Sequence, residues 1–106
     1  MQAKILAVLN HKESPCRLWR NNVGKYATVD GGYVAYGLGV GSADLVGLVI
    51  GTGQFIACEI KTPVGRLSLE QKAWLGYVRK VGGIAEVLRS VEEAEKLVAR
   101  LRIAAA

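Results

Sequence analysis

The run Asp44-Leu45-Val46-Gly47-Leu48-Val49-Ile50, then Gly51-Thr52-Gly53, then Gln54-Phe55-Ile56-Ala57-Cys58-Glu59-Ile60-Lys61 decides the fold. Two apolar segments separated by a glycine turn predict an antiparallel hairpin. Side chains alternate across a strand, so Glu59 and Lys61 share one face while Cys58 and Ile60 share the other. An acid thus opens the first strand, and an acid with a lysine closes the second. Charges beside an apolar sheet are costly unless something compensates them. Taken alone, Glu59-Ile60-Lys61 also fits an ordinary ion pair on a strand that emerges into solvent.

Upstream lies Gly37-Leu38-Gly39-Val40-Gly41-Ser42. A phosphate loop would end in Gly-Lys-Ser/Thr, and a dinucleotide fingerprint would open a helix; neither follows here. The run reads instead as a turn where backbone passes close to backbone. Arg17 to Tyr36 predicts one or two short strands, with Asp30-Gly31 as a hairpin turn. Gln2 to Lys12 carries Ile5, Leu6, Val8 and Leu9 on one helical face, and Pro15 blocks continuation.

Downstream, Pro63 and Gly65 end the hairpin. Ser68 and Gln71 have capping-box spacing, which predicts a helix over Ser68 to Gly82 with Gly82-Gly83 as its stop. Gly83 to Arg89 reads as a short buried strand. Ser90 with Glu93 repeats the capping box and opens a last helix along Val91, Ala94, Leu97, Val98 and Leu101. The expected order is α-βββ-α-β-α: an α/β domain with a small mixed sheet flanked by helices, occupying residues 1–106 as one unit.

Composition bounds the function. The chain has 106 residues, 51% hydrophobic and 22% charged, which supports one compact domain and excludes wholesale disorder. The most apolar stretch, Leu45 to Phe55, is cut by glycines and too short to cross a bilayer. Lys12 and Glu13 interrupt the first apolar segment, so no signal peptide is expected. Cys16 and Cys58 lack metal-ligand spacing, which favours a reduced, intracellular, cytoplasmic setting in a bacterial or phage-infected cell. Fourteen basic against nine acidic side chains leave a net charge of +5, which suits a polyanionic partner.

The helix from Ser68 carries the deciding residue. Its inward stripe runs Gln71, Trp74, Leu75, Val78 and Val81, so an amide sits where an apolar residue belongs. Capping of Ser68 explains part of this. The other reading is that Gln71 points at the same place as Asp44, Glu59 and Lys61. In this order and spacing, Gly41-Ser42-Ala43-Asp44-Leu45, Glu59-Ile60-Lys61 and Leu67-Ser68-Leu69-Glu70-Gln71 resemble the VRR-NUC family, a branch of the PD-(D/E)xK nuclease superfamily. The likeness continues through Gly82-Gly83 and Val87-Leu88-Arg89-Ser90 to Glu92-Glu93. It begins, more weakly, at Trp19-Arg20-Asn21-Asn22-Val23-Gly24. Two departures stand out. Ala43 occupies the place of the name-giving proline, and the first helix offers Gln2 or the distant Glu13 where many relatives carry a glutamate.

The resemblance implies a restriction-endonuclease-like fold and a metal-dependent endonuclease acting on DNA. Asp44, Glu59 and the backbone carbonyl of Ile60 would hold Mg²⁺ or Mn²⁺, as hard oxygen donors suit such ions. Lys61 would orient water or bind phosphate, and Gln71 would hold water, Lys61 or phosphate. Arg20, Lys25, Arg66, Lys72 and Ser42 are candidate nucleic-acid contacts, with Arg17, Arg79 and Lys80 as further basic candidates. For each cation alone, simple solvation competes. Trp19 and Trp74 fit core packing better than base stacking, and His11 receives no catalytic role. Small isolated family domains resemble junction-resolving nucleases, so a homodimer on branched DNA such as four-way (Holliday) junctions is expected. The competing expectation is a non-catalytic nucleic-acid-binding module that keeps the nuclease fold.

Overall fold

A computed structural model describes residues 1–22 and 24–105, with the side chains of 24–26, 34–36 and 105 excepted. The order is α1 (Gln2–Leu9), β1 (Cys16–Arg20), β2 (Gly24–Ala27), β3 (Tyr33–Tyr36), β4 (Leu45–Val49), β5 (Phe55–Ile60), α2 (Leu69–Lys80), β6 (Ile84–Leu88) and α3 (Val91–Ala105). Four strands form a mixed sheet in the order β1-β4-β5-β6. β4 pairs antiparallel with both β1 and β5, whereas β5 and β6 run parallel across the α2 crossover.

The hairpin of residues 44–61 forms as its sequence predicts, and it provides the two central strands of this sheet. Glycines carry its turn, at Gly51 (φ +97°) and Gly53 (φ +73°). Side-chain alternation divides the core into two layers. Cys16, Leu18, Leu45, Ile56 and Cys58 pack under α1 and α3 with Ile5, Leu9, Leu97 and Leu101. Ala43, Ala57 and Ala85 lie on the other face beneath Leu75 and Val78 of α2. Alanines there let the helix settle close to the sheet. Ala43, in the place of the expected proline, is fully buried in that layer.

The middle of the chain holds more strands than the expected three. β2 and β3 form a separate two-stranded ribbon, turned at Thr28–Gly32 with Gly31 at φ +87°. The Asp30-Gly31 turn is therefore where the sequence puts it. β1 leaves the ribbon and joins β4 instead, because Cys16 and Leu18 find burial only there.

The first helix stops at Leu9, short of Lys12. Asn10 ends it, since its side-chain amide donates to Leu18 O (2.7 Å) and accepts from Leu18 N–H (2.8 Å). That pair of bonds is what a neighbouring strand would offer β1. Two further details differ at the other helices. Val81 is the C-cap of α2 and 62% exposed, so it leaves the inward stripe. At α3, Glu93 N–H bonds the Ser90 hydroxyl, while the Glu93 carboxylate reaches back to Arg89 N–H and not to Ser90.

Candidate active site

β4 and β5 pair in a register with Leu45 opposite Cys58. One step further along that register sets Asp44 opposite Glu59, at the end of the hairpin and on the α2 face. There Asp44 Oδ2 accepts the backbone N–H of Ile60 at 2.8 Å. The carboxylate completes the strand's hydrogen bonding just beyond the last β4 pair, so β5 holds it in place.

Glu59 is 2% exposed, and its Oε2 has no hydrogen-bond partner among the described residues. Burial, first, and then the adjoining Asp44 carboxyl push its pKa up to about 8, while Lys61 pulls the other way. Lys61 is half-buried and close enough to act on Glu59, yet it forms no ion pair there. The described residues contain one ion pair, Glu86 with Arg100 (3.4 Å). The simple strand ion pair is thus not what this sequence encodes. Two carboxyls sharing a buried corner repel when both are charged, and such a corner gains from a cation.

The glycine run before Asp44 is a brace. Gly37, Gly39 and Gly41 all have positive φ. A Cβ at Gly41 would sit 2.6 Å from the carbonyl oxygen of Glu70, so only glycine lets this loop lie against the first turn of α2. Asn21 locks the same loop. Its backbone N–H donates to Asp44 O (2.8 Å), its Nδ2 donates to Ser42 Oγ (2.8 Å) and Ala43 O (2.9 Å), and its Oδ1 accepts from Leu38 N–H (3.2 Å). Ser42 passes its own proton to Gly39 O (2.7 Å) and is buried. The expected nucleic-acid contact at Ser42 is therefore corrected: this hydroxyl is bound up in loop structure.

The Gly41 contact brings the start of α2 beside the acid-bearing strand. Gln71 sits there, half-buried. Its Oε1 accepts from Ser68 N–H (2.9 Å) and its N–H donates to Ser68 Oγ (3.1 Å), so the capping box forms in full. The carbonyl end of Gln71 is committed to the cap. Its Nε2 has no partner among the described residues, which leaves the two amide hydrogens as the part available to a ligand.

The arginines divide into two groups. Arg17 donates to Ser14 O, Cys16 O and Lys12 O, Arg79 donates twice to Ala85 O, and Arg89 donates to Thr62 O (2.7 Å) and Gly65 O (2.6 Å). Backbone carbonyls hold these three guanidinium groups in place. Arg89 ties down the loop that follows Lys61. Arg20, Arg66 and Lys72 are exposed, with no hydrogen bond or ion pair among the described residues. The Lys25 side chain lies outside the described residues.

Among the described residues, no three of His, Cys, Asp and Glu converge as metal ligands. The acid pair stands with two carboxylates. α1 contains no carboxylate and packs on the opposite face of the sheet, with Ile5 and Leu9 in the other layer. Two acids fit a hard cation that keeps several waters, and Glu59 Oε2 is a buried oxygen lacking the donor it needs.

This arrangement can be compared with known proteins. The protein-family model for the VRR-NUC domain matches residues 2–92, from α1 to the first turn of α3. The chain belongs to the VRR-NUC family. It is accordingly a nuclease-type domain. No curated protein matches the chain. No helix among the described residues is long and apolar enough to cross a membrane. Within this VRR-NUC domain, sequence reasoning passed over Asn21 and Arg89 as site-building residues. Each left one signal, its place in the family likeness: Asn21 in the weak N-terminal part and Arg89 in Val87-Leu88-Arg89-Ser90.

Proposed function

We propose that this VRR-NUC domain is a Mg²⁺- or Mn²⁺-dependent endonuclease of restriction-endonuclease-like fold that hydrolyses DNA phosphodiester bonds. The observation carrying this reading is the buried Glu59 carboxyl with an unpartnered oxygen beside Asp44. Asp44, Glu59 and the carbonyl of Ile60 would hold the ion. When bound, it supplies charge to acidify a water and to polarise a phosphate oxygen.

The chain's own groups do the rest. Ile60 N–H fixes the Asp44 carboxylate so that it faces Glu59. Lys61, unpaired and half-buried, places a positive charge beside the acids, where it orients water and offsets negative charge that grows on the phosphate. Gln71 offers its Nε2 hydrogens to the same phosphate or water. Arg20, Arg66 and Lys72 hold the backbone of the substrate in solvent-exposed contacts that weaken with salt.

Branched DNA such as a four-way junction is the proposed substrate, because a domain this small has little surface for reading sequence. A homodimer would bring two such sites to the two strands of a junction. Two free, buried cysteines agree with an intracellular setting. The alternative, a non-catalytic nucleic-acid-binding module, draws on the capping role of Gln71.

Labelled four-way junction, flap and linear duplex, each with and without Mg²⁺ or Mn²⁺, separate these readings. The nuclease cuts only with metal, and Glu59→Ala or Lys61→Ala abolishes cutting while retaining binding. Salt-dependent binding without metal-stimulated cutting would establish the alternative.

A further inference from the structure

Trp19 is 58% exposed and belongs to neither layer of the core. Its neighbours Cys16 and Leu18 face α1 and α3, so Trp19 points to the α2 side of the sheet. α2 lies over β5 and β6, and on β4 Val46 packs against the layer beneath that helix while Leu48 is 45% exposed. The expectation of a core tryptophan is corrected here: more than half of this side chain is exposed.

Register places the exposed ring in relation to the acids. Trp19 is opposite Val46 on β4, and Val46 stands two residues from Asp44 on the same face. Two residues along the strand and one step between strands put the Trp19 and Asp44 backbones roughly 8 Å apart, about two to three stacked nucleotide steps. The indole N–H has no partner among the described residues, and the exposed, unpaired Arg20 follows directly in the chain. Asn21, next again, is hydrogen-bonded to Asp44 O. An exposed aromatic ring and an exposed cation therefore lie on β1 within two register steps of the acid pair, the ring on the same side of the sheet.

We propose that Trp19 is a stacking platform for an unpaired base within two or three nucleotides of the phosphate cut at Asp44 and Glu59. This rests on the nuclease reading and gives the site a preference, among branched DNAs, for those with or opening to unpaired nucleotides beside the cleavage point. A base inside an intact duplex is stacked on its neighbours and cannot reach the indole; a base at a flap or branch can. Every base has a π-face, so the platform adds structure selectivity without sequence preference.

The test uses the full chain and a flap carrying 2-aminopurine at the unpaired position next to the branch, with Ca²⁺ present to separate binding from cutting. Wild-type protein should quench 2-aminopurine, and Trp19→Ala should remove the quench and weaken flap binding roughly ten-fold. Trp19→Phe should recover most of both, while binding to blunt duplex stays the same for all three. Equal flap affinity and undiminished quenching in Trp19→Ala, with wild type still cutting, would overturn the platform alone. A wild-type dimer that Trp19→Ala converts to monomer, seen by sedimentation, would also overturn it by making this face a contact between copies. Wild type that neither binds nor cuts any DNA would overturn the nuclease reading and the platform together.

Discussion

Ile60 N–H and Asp44 Oδ2 lie 2.8 Å apart, joining the last residue of β5 to the acid that precedes β4. The bond sets a backbone donor against a carboxylate acceptor beside Glu59, whose Oε2 has no donor among the described residues. An asparagine at position 44 keeps the acceptor and removes the charge. Asp44→Asn should therefore fold normally and, without metal, be no less stable than wild type. Cutting of a junction substrate should fall by roughly 10²-fold or more, since the lost charge is half of the acid pair. Thermal melts and single-turnover cleavage check the two halves separately.

The acid pair also makes stability depend on pH. Glu59 titrates near 4.5 as a free side chain and at about 8 in the fold. Between those values the native state keeps a proton that the unfolded chain has released. Its stabilising effect is thus complete below about pH 4.5 and drains away as pH rises towards 8. Urea midpoints of metal-free protein should fall from pH 5.5 to pH 8, and Glu59→Gln should flatten that slope. Mn²⁺ affinity should move in the opposite direction, rising over the same interval because binding displaces the proton.

Asn21 should matter to the metal without touching it. Asn21→Ala loses three side-chain hydrogen bonds to the loop before Asp44, and Asn21→Asp keeps only the one from Leu38 N–H. Mn²⁺ binding measured by calorimetry should weaken by about ten-fold in the alanine variant, the usual scale for residues that orient a ligand. Unchanged affinity would leave Asn21 as a loop residue only.

Two glycines predict opposite outcomes. Gly41→Ala meets both a φ of +85° and a backbone oxygen at 2.6 Å, and should cost about 2–4 kcal/mol while pushing α2 from the acids. Gly76, in the middle of α2, has open space where a Cβ would go. Gly76→Ala should stabilise by about 0.5–1 kcal/mol with cleavage unchanged. Denaturant unfolding of the two variants decides both.

Cys16 and Cys58 should resist modification. Both are buried, and burial pushes the Cys58 thiol up to about 12. A colorimetric thiol reagent should count no fast-reacting cysteine in native protein and two after unfolding.

The amino-acid sequence by itself determined the central hairpin, the helix caps, the face shared by Glu59 and Lys61, and the order in which the acidic, basic and amide side chains occur. These depend on period-two alternation, glycine turns and cap spacing, which act between near neighbours and so leave a trace in the text. Only the tertiary structure decided that β1 pairs with β4 and leaves β2 and β3 as a ribbon, and that Trp19 is exposed. Each of those outcomes turns on which distant backbone group or apolar face reaches a residue first. Asn21 shows the reason most plainly: its partners Leu38, Ser42, Ala43 and Asp44 are 17 or more residues away. Contacts closed across loops of that length are selected by the packing of the whole sheet, and no local pattern encodes them.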